Sequence, residues 1–222
     1  MKAAICIGHS RPGDSGATSA GGVSEWNYNV PVGEMVRDRL VAHGVEVLLL
    51  TDYLGDSYGS AMDWVAGQLG TFGADCAIEI HFNAHDGTAK GFEYLYWHSS
   101  SNGAQLASHL HTAHAETLGG TDRGTKPKTS SDRGSGFLSK PACPCIICEP
   151  FFGDNPTEWE AFRSESAQAS LAGVYADGIL SYLGIESGQP STPAPIDIEG
   201  AIARITRAET ELADAKRILR GG

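Results

Sequence analysis

Residues 76–84 read Cys76-Ala77-Ile78-Glu79-Ile80-His81-Phe82-Asn83-Ala84. A short apolar run of this kind predicts a buried strand over 76–82, and it carries an imidazole at its end. Two further runs close the same way. Ala3-Ala4-Ile5-Cys6-Ile7-Gly8 is followed by His9, and Cys145-Ile146-Ile147-Cys148 by Glu149. Between the predicted strands (2–8, 45–50, 76–82, 91–96 and 144–149) lie helical patterns. The first runs from about Ser24 to His43, with Val32, Val36 and Leu40 on one face, and Gly44 just past its end. Others cover 58–72, 103–118 and 157–183. Strands alternating with helices predict an α/β fold, a twisted and mostly parallel sheet flanked by helices on both faces. The polar stretch from the third helix to Gly136 reads as a solvated loop.

Strands that end on ionisable residues set those residues along one rim of a sheet, where open α/β folds keep their sites. His9, His81 and Glu149 meet that condition, and Glu25 opens a helix just after Gly21-Gly22-Val23-Ser24. Two imidazoles and a carboxylate are a usual ligand set for catalytic zinc, and a second carboxylate takes the proton of a water. His85 and Asp86 compete for the metal, but the chain leaves the strand through Asn83-Ala84, so His85 does not converge with His81. His109, His111 and His114 share a predicted surface helix and are expected to be solvated. Glu79 shares the face of His81; it either orients an imidazole near the metal or pairs with Arg133 or Lys90. Cys6 and Cys76 read as core. Cys145 and Cys148 point to opposite faces of their strand, and no second cysteine pair completes a structural zinc site.

The 222 residues suffice for one globular domain with a short appendage, and the net charge of −11 excludes nucleic acid as a partner. No apolar run is long enough to cross a bilayer, so no stable membrane insertion is expected. The N terminus offers one lysine and a short apolar run rather than a signal peptide, which predicts synthesis in a cytoplasm. Residues 187–196 contain Pro190, Pro193 and Pro195 and read as a linker. Beyond it, over 197–222, Ile198, Ile202, Ile205, Leu212 and Leu219 recur at helical spacing, in a coiled-coil-like amphipathic helix. That helix holds five acids and five bases, so the excess negative charge belongs to the domain before it. Its neutrality and lack of Trp and Phe weigh against a membrane-disturbing role, and homo-oligomerisation is the expected one.

Gly8-His9, Glu25 at the helix opening, His81-Phe82-Asn83-Ala84 and the segment from Cys145 to Asn155 occur in the order of a known family. Over about residues 2 to 185 the chain resembles the zinc-dependent N-acetylmuramoyl-L-alanine amidases of the type-3 group. The resemblance implies His9, Glu25 and His81 as Zn2+ ligands and Glu149 as the catalytic carboxylate. It also implies peptidoglycan as substrate, cut between the lactyl group and L-alanine. Ser10 after Gly8-His9, the segment Thr18 to Val23 and Glu79 in place of a commoner Ser look more like phage endolysins than bacterial autolysins. That branch implies release to the wall through a membrane hole. A bacterial or prophage-derived autolysin, or a wall-binding protein without catalysis, is the alternative. Glu79, Asn83 and Arg133 are further candidates to touch substrate or hold a ligand in place. Arg133 competes with Arg123 for a stem-peptide carboxylate.

Overall fold

The computed structural model describes residues 1–186, all within one compact unit. The expected linker 187–196 and amphipathic helix 197–222 lie outside the described residues. Chain order is β1 (Lys2–Ile7), α1 (Glu25–Ala42), β2 (Glu46–Leu50), α2 (Tyr58–Phe72), β3 (Cys76–Ile80) and β4 (Phe92–Trp97). It continues with α3 (Ser101–Thr117), β5 (Asp122–Lys128), α4 (Ser135–Ser139), β6 (Cys145–Glu149), α5 (Pro156–Phe162) and α6 (Glu165–Tyr182). The six strands form one sheet in the order β2-β1-β3-β6-β4-β5. The first four of that order run parallel. Strand β4 is antiparallel to β6, and β5 pairs parallel with β4.

Strand alternation sorts the side chains into two cores. Ile5, Ile7, Ile78, Ile80, Ile146 and Cys148 meet α1, α3 and α6 through Val32, Val36, Leu40, Leu106, Leu110 and Ile179. On the other face Ala4, Cys6, Ala77, Cys145 and Ile147 meet α2 and α4 through Met62, Val65, Leu69 and Phe137. Each fully buried aliphatic side chain contributes about 1.5–3 kcal/mol, so burial on both faces fixes the register of β1, β3 and β6. As expected, Cys145 and Cys148 fall in different cores. Helix starts are capped by hydroxyls: Ser24 accepts from the Asn27 N–H, and Ser57 and Ser60 form a reciprocal capping box. No helix among the described residues is long and apolar enough to cross a membrane.

Three expectations need correction. The polar stretch is not all loop: Asp122–Lys128 is the edge strand β5, whose ladder forms without an apolar residue. The helix expected over 157–183 is two, because the Ser164 hydroxyl accepts the Ala167 N–H and starts α6 afresh. His114 is not solvated. It is 1% exposed, stacked on Phe92 at 4.0 Å and paired with the Tyr94 hydroxyl at 2.9 Å. Burial, with the His111 charge adding to it, lowers its pKa to about 4.

Candidate active site

Adjacent parallel strands bring their carboxyl ends together, and the central trio β1, β3 and β6 does so here. His9 follows β1, His81 follows β3, and Glu149 ends β6. Glu25 reaches them from the first turn of α1. The chain turns sharply after β1: His9 has φ 59°, the one positive φ outside glycine among the described residues. Such a conformation costs about 1–3 kcal/mol and persists where surrounding contacts impose it. Gly8 is required for a different reason, because a Cβ there would lie 2.1 Å from His81 Cε1. The imidazole of His81 therefore rests directly on the Gly8 backbone, which donates its N–H to Ile80 at 3.0 Å.

His9, Glu25 and His81 each present a donor atom within 4.8 Å of the others. His81 Nδ1 lies 2.8 Å from Glu25 Oε1, and His9 Nε2 lies 3.4 Å from Glu25 Oε2. Glu25 is 2% exposed, and its carboxylate accepts the N–H groups of Phe82 and Ala17, both at 3.1 Å. Burial alone would raise its pKa; the His81 bond and the charges of His81 and His9 prevail and hold it below the ordinary range. The far side of each imidazole meets another carboxylate. His9 Nδ1 pairs with Asp14 at 2.8 Å, and Asp14 is held by Arg11 at 2.8 Å. Glu79 Oε2 stands 3.1 Å from His81 Nε2, a charge contact whose direction falls short of a hydrogen bond. The Tyr53 hydroxyl donates to Glu79 Oε1 at 3.0 Å. Burial opposes protonation of His81, but Glu25 and Glu79 outweigh it and raise its pKa well above the ordinary value.

Glu79, Glu93 and Glu149 share one sheet face by alternation, the face covered by α2 and α4. Glu93 sits opposite Glu149 in the β4–β6 register. Burial would raise the Glu93 pKa, but Lys126 and Arg123 beside it keep it below the ordinary range. Glu149 has no such cation. Burial first, then the charges of Glu25, Glu93 and Glu79, push its pKa up to about 8 against the opposing pull of His81. Its Oε2 is buried without a hydrogen-bond partner, which costs about 1–3 kcal/mol. An orphaned acceptor in a site is explained by a donor that arrives with the ligand.

These residues fit a divalent metal. With Asp14 balanced by Arg11, and Glu93 by Arg123 and Lys126, the carboxylates of Glu25, Glu79 and Glu149 face only two imidazoles. A dication offsets that excess, and two nitrogens with one oxygen suit zinc. His81 Nδ1 and His9 Nε2 both face the Glu25 carboxylate, so three donors converge on one place.

The site opens into a cavity of about 710 Å³. Asn83 and Arg133 line it, as does Glu79; Arg123 does not. Asn83 donates to Glu93 Oε1 at 3.1 Å. Arg123 is committed to Glu93 at 2.8 Å and lies over the Phe152 ring, so of the two arginines Arg133 alone lines the cavity. Glu79 pairs with neither Arg133 nor Lys90, and His85 stays outside the cluster, its N–H bound to Asp154 at 2.9 Å. Sequence reading missed Asp14, Tyr53 and Glu93. The alternation Phe92-Glu93-Tyr94 carried the signal for Glu93; nothing local marked Tyr53.

The sequence profile of the Amidase_3 family, N-acetylmuramoyl-L-alanine amidase, matches residues 4–181. No curated protein matches the chain significantly. Among solved structures, an N-acetylmuramoyl-L-alanine amidase from Clostridium difficile 630 shares 25% identity and a TM-score of 0.73, over 82% of this chain and 96% of its own. The catalytic domain of CwlV, an N-acetylmuramoyl-L-alanine amidase from Bacillus (Paenibacillus) polymyxa var. colistinus, shares 24% and a TM-score of 0.72, over 84% and 100%. The catalytic domain of the CD27L endolysin, which targets Clostridium difficile, shares 24% and a TM-score of 0.67, over 82% and 97%. With a family match over most of its length and a strand-end site of this composition, the chain belongs to the N-acetylmuramoyl-L-alanine amidases.

Proposed function

We propose that this amidase is zinc-dependent, with His9, Glu25 and His81 as the metal ligands and Glu149 as general base and acid. The observation that carries the proposal is the convergence of those three donors beside the unpartnered Glu149 Oε2. Zinc held there supplies a Lewis acid that polarises the amide carbonyl and acidifies water toward neutrality. Asp14 and Glu79 hold the two imidazoles from behind, and two backbone N–H groups fix the Glu25 carboxylate. Glu149 takes the proton of the attacking water at Oε2 as the C–O bond forms. It returns that proton to the departing nitrogen of L-alanine as the lactyl C–N bond breaks. Digestion of purified peptidoglycan, followed by mass spectrometry, tests this. Wild type is expected to release stem peptides with a new L-alanine amine, and Glu149→Gln to release them at least about 100-fold more slowly; peptides ending elsewhere would replace the assigned bond.

The finer biological role we propose is that of a phage endolysin, made in the cytoplasm and passed to the wall through a membrane hole. Ser10 and Glu79 support it, as the positions where the sequence departs toward lysins. A bacterial or prophage-derived autolysin shares the chemistry. Expression together with a membrane-permeabilising protein is expected to drop culture turbidity, and expression alone is not. The proposed organisation is a catalytic domain over 1–186, a linker over 187–196 and an oligomerising helix over 197–222. Several active sites on tethers gain avidity for a polymeric substrate. Deleting 187–222 is expected to lower the sedimenting mass by more than the deleted residues weigh. Loss of only that weight rules oligomerisation out.

A further inference from the structure

The cavity carries charge of both signs. Its lining carries the imidazoles and carboxylates already described, and also Lys128 at the end of β5 and Arg133 in the turn before α4. Cations are scarce in a chain of net charge −11, and those nearest the site are spoken for. Arg11 is bound to Asp14, and Arg123 and Lys126 to Glu93. Lys128 and Arg133 are different: among the described residues neither side chain has a hydrogen bond or ion pair. The turn that presents them is fixed, because the Asp132 carboxylate accepts both the N–H and the hydroxyl of Thr129. Asp132 also lines the cavity, but its hydrogen bonds go to Thr129, and the Lys128 charge reaches it without forming an ion pair. Two cations without ion pairs, lining the cavity that holds the catalytic residues, make an anion site.

We propose that Lys128 and Arg133 form a subsite for a carboxylate of the stem peptide, one residue beyond the L-alanine whose amide is cut. This rests on the peptidoglycan reading and deepens it. The carboxylate nearest the scissile bond is the α-carboxylate of the second stem residue, which walls carry either free or amidated. The subsite selects the free form, since an amide offers no charge and turns N–H donors toward two cations. Arg133 is exposed and Lys128 half-buried, so the preference is moderate: about fivefold to tenfold, between an exposed ion pair and a charge-assisted bond in a dry site.

Binding tests the subsite without depending on turnover. The full chain carrying Glu149→Gln is titrated with N-acetylmuramoyl-L-alanyl-D-glutamate and with its α-amide. The expected ratio of Kd values is about fivefold to tenfold in favour of the free acid. Adding Arg133→Gln or Lys128→Gln reduces it, and both together bring it to about one. Arg163→Gln, which removes a charge outside the cavity, leaves the ratio alone. A ratio of one before those changes, or one that survives the double substitution, overturns the subsite. If wild type cleaves neither compound although the binding ratio behaves as stated, the subsite stands and the amidase assignment of these residues fails instead.

Discussion

Replacing Glu79 by glutamine tests what a buried carboxylate does for His81, the proposed metal ligand. The residue is 4% exposed, with one oxygen 3.0 Å from the Tyr53 hydroxyl and the other 3.1 Å from His81 Nε2. Glutamine keeps the volume and an acceptor for Tyr53, and replaces the charged acceptor behind the imidazole by an NH2 donor. Removing such a partner from a ligating histidine lowers metal affinity by about 10- to 100-fold, or about 1.4–2.7 kcal/mol. The metal-free protein responds less. Glu79 burdens Glu149 but also favours the charged form of His81, so the two effects oppose and metal-free Glu79→Gln stays within about 1 kcal/mol of wild type in urea unfolding. The assay is competition for zinc against a chromophoric chelator at pH 7.5, beside urea unfolding of the metal-free proteins. Zinc affinity within twofold of wild type refutes the positioning role. A loss of stability without zinc, equal to the loss of affinity, refutes it too, because Glu79 would then be only part of the core.

Three other outcomes follow from the same geometry. Glu149→Gln lowers turnover of soluble muropeptides by about 10²- to 10⁴-fold while zinc affinity stays within about threefold of wild type; steady-state rates and the chelator competition read both. Gly8→Ala drives a methyl group into His81, so zinc affinity falls at least tenfold and stability by about 1–3 kcal/mol, seen in zinc titration and thermal melts. His114 carries a pH signature. Its folded pKa of about 4 lies below its ordinary 6.5, so the unfolded chain binds the extra proton; stability is present above pH 6.5 and lost as pH falls toward 4, by about 2 kcal/mol at pH 5. Urea titrations at pH 7.5 and 5 show that decrement in wild type and its absence in His114→Phe; an identical pH response in both would exclude His114 as its source.

What the sequence revealed and what it hid divide along physical lines. Residues buried on both faces leave a continuous apolar run, so β1, β3 and β6 were legible, and with them the rim where His9, His81 and Glu149 meet. The signal fails where pairing, not burial, makes the strand. Asp122-Arg123-Gly124-Thr125-Lys126-Pro127-Lys128 has the lysines and proline of a protected sheet edge and reads as loop until β4 lies beside it. His114 was misplaced because one polar residue on an amphipathic helix does not show which side faces the sheet. Glu79 was placed on the correct side of β3 by alternation alone, but its partner Tyr53 comes from the segment after β2, a contact that only the three-dimensional order β2-β1-β3 creates. The reversal of β4 has no counterpart in its composition either, since it depends on the connection that follows Asn83.

The most direct test of the central claim is X-ray absorption at the zinc edge on the full chain reconstituted with one equivalent of zinc, together with its His81→Ala variant. Ligation by His9, Glu25 and His81 predicts imidazole and oxygen scatterers at about 2.0–2.1 Å, no sulfur, and an altered spectrum with weakened binding in the variant. Sulfur scattering at about 2.3 Å, or a spectrum untouched by loss of His81, would place the metal among the cysteines or elsewhere and contradict the account.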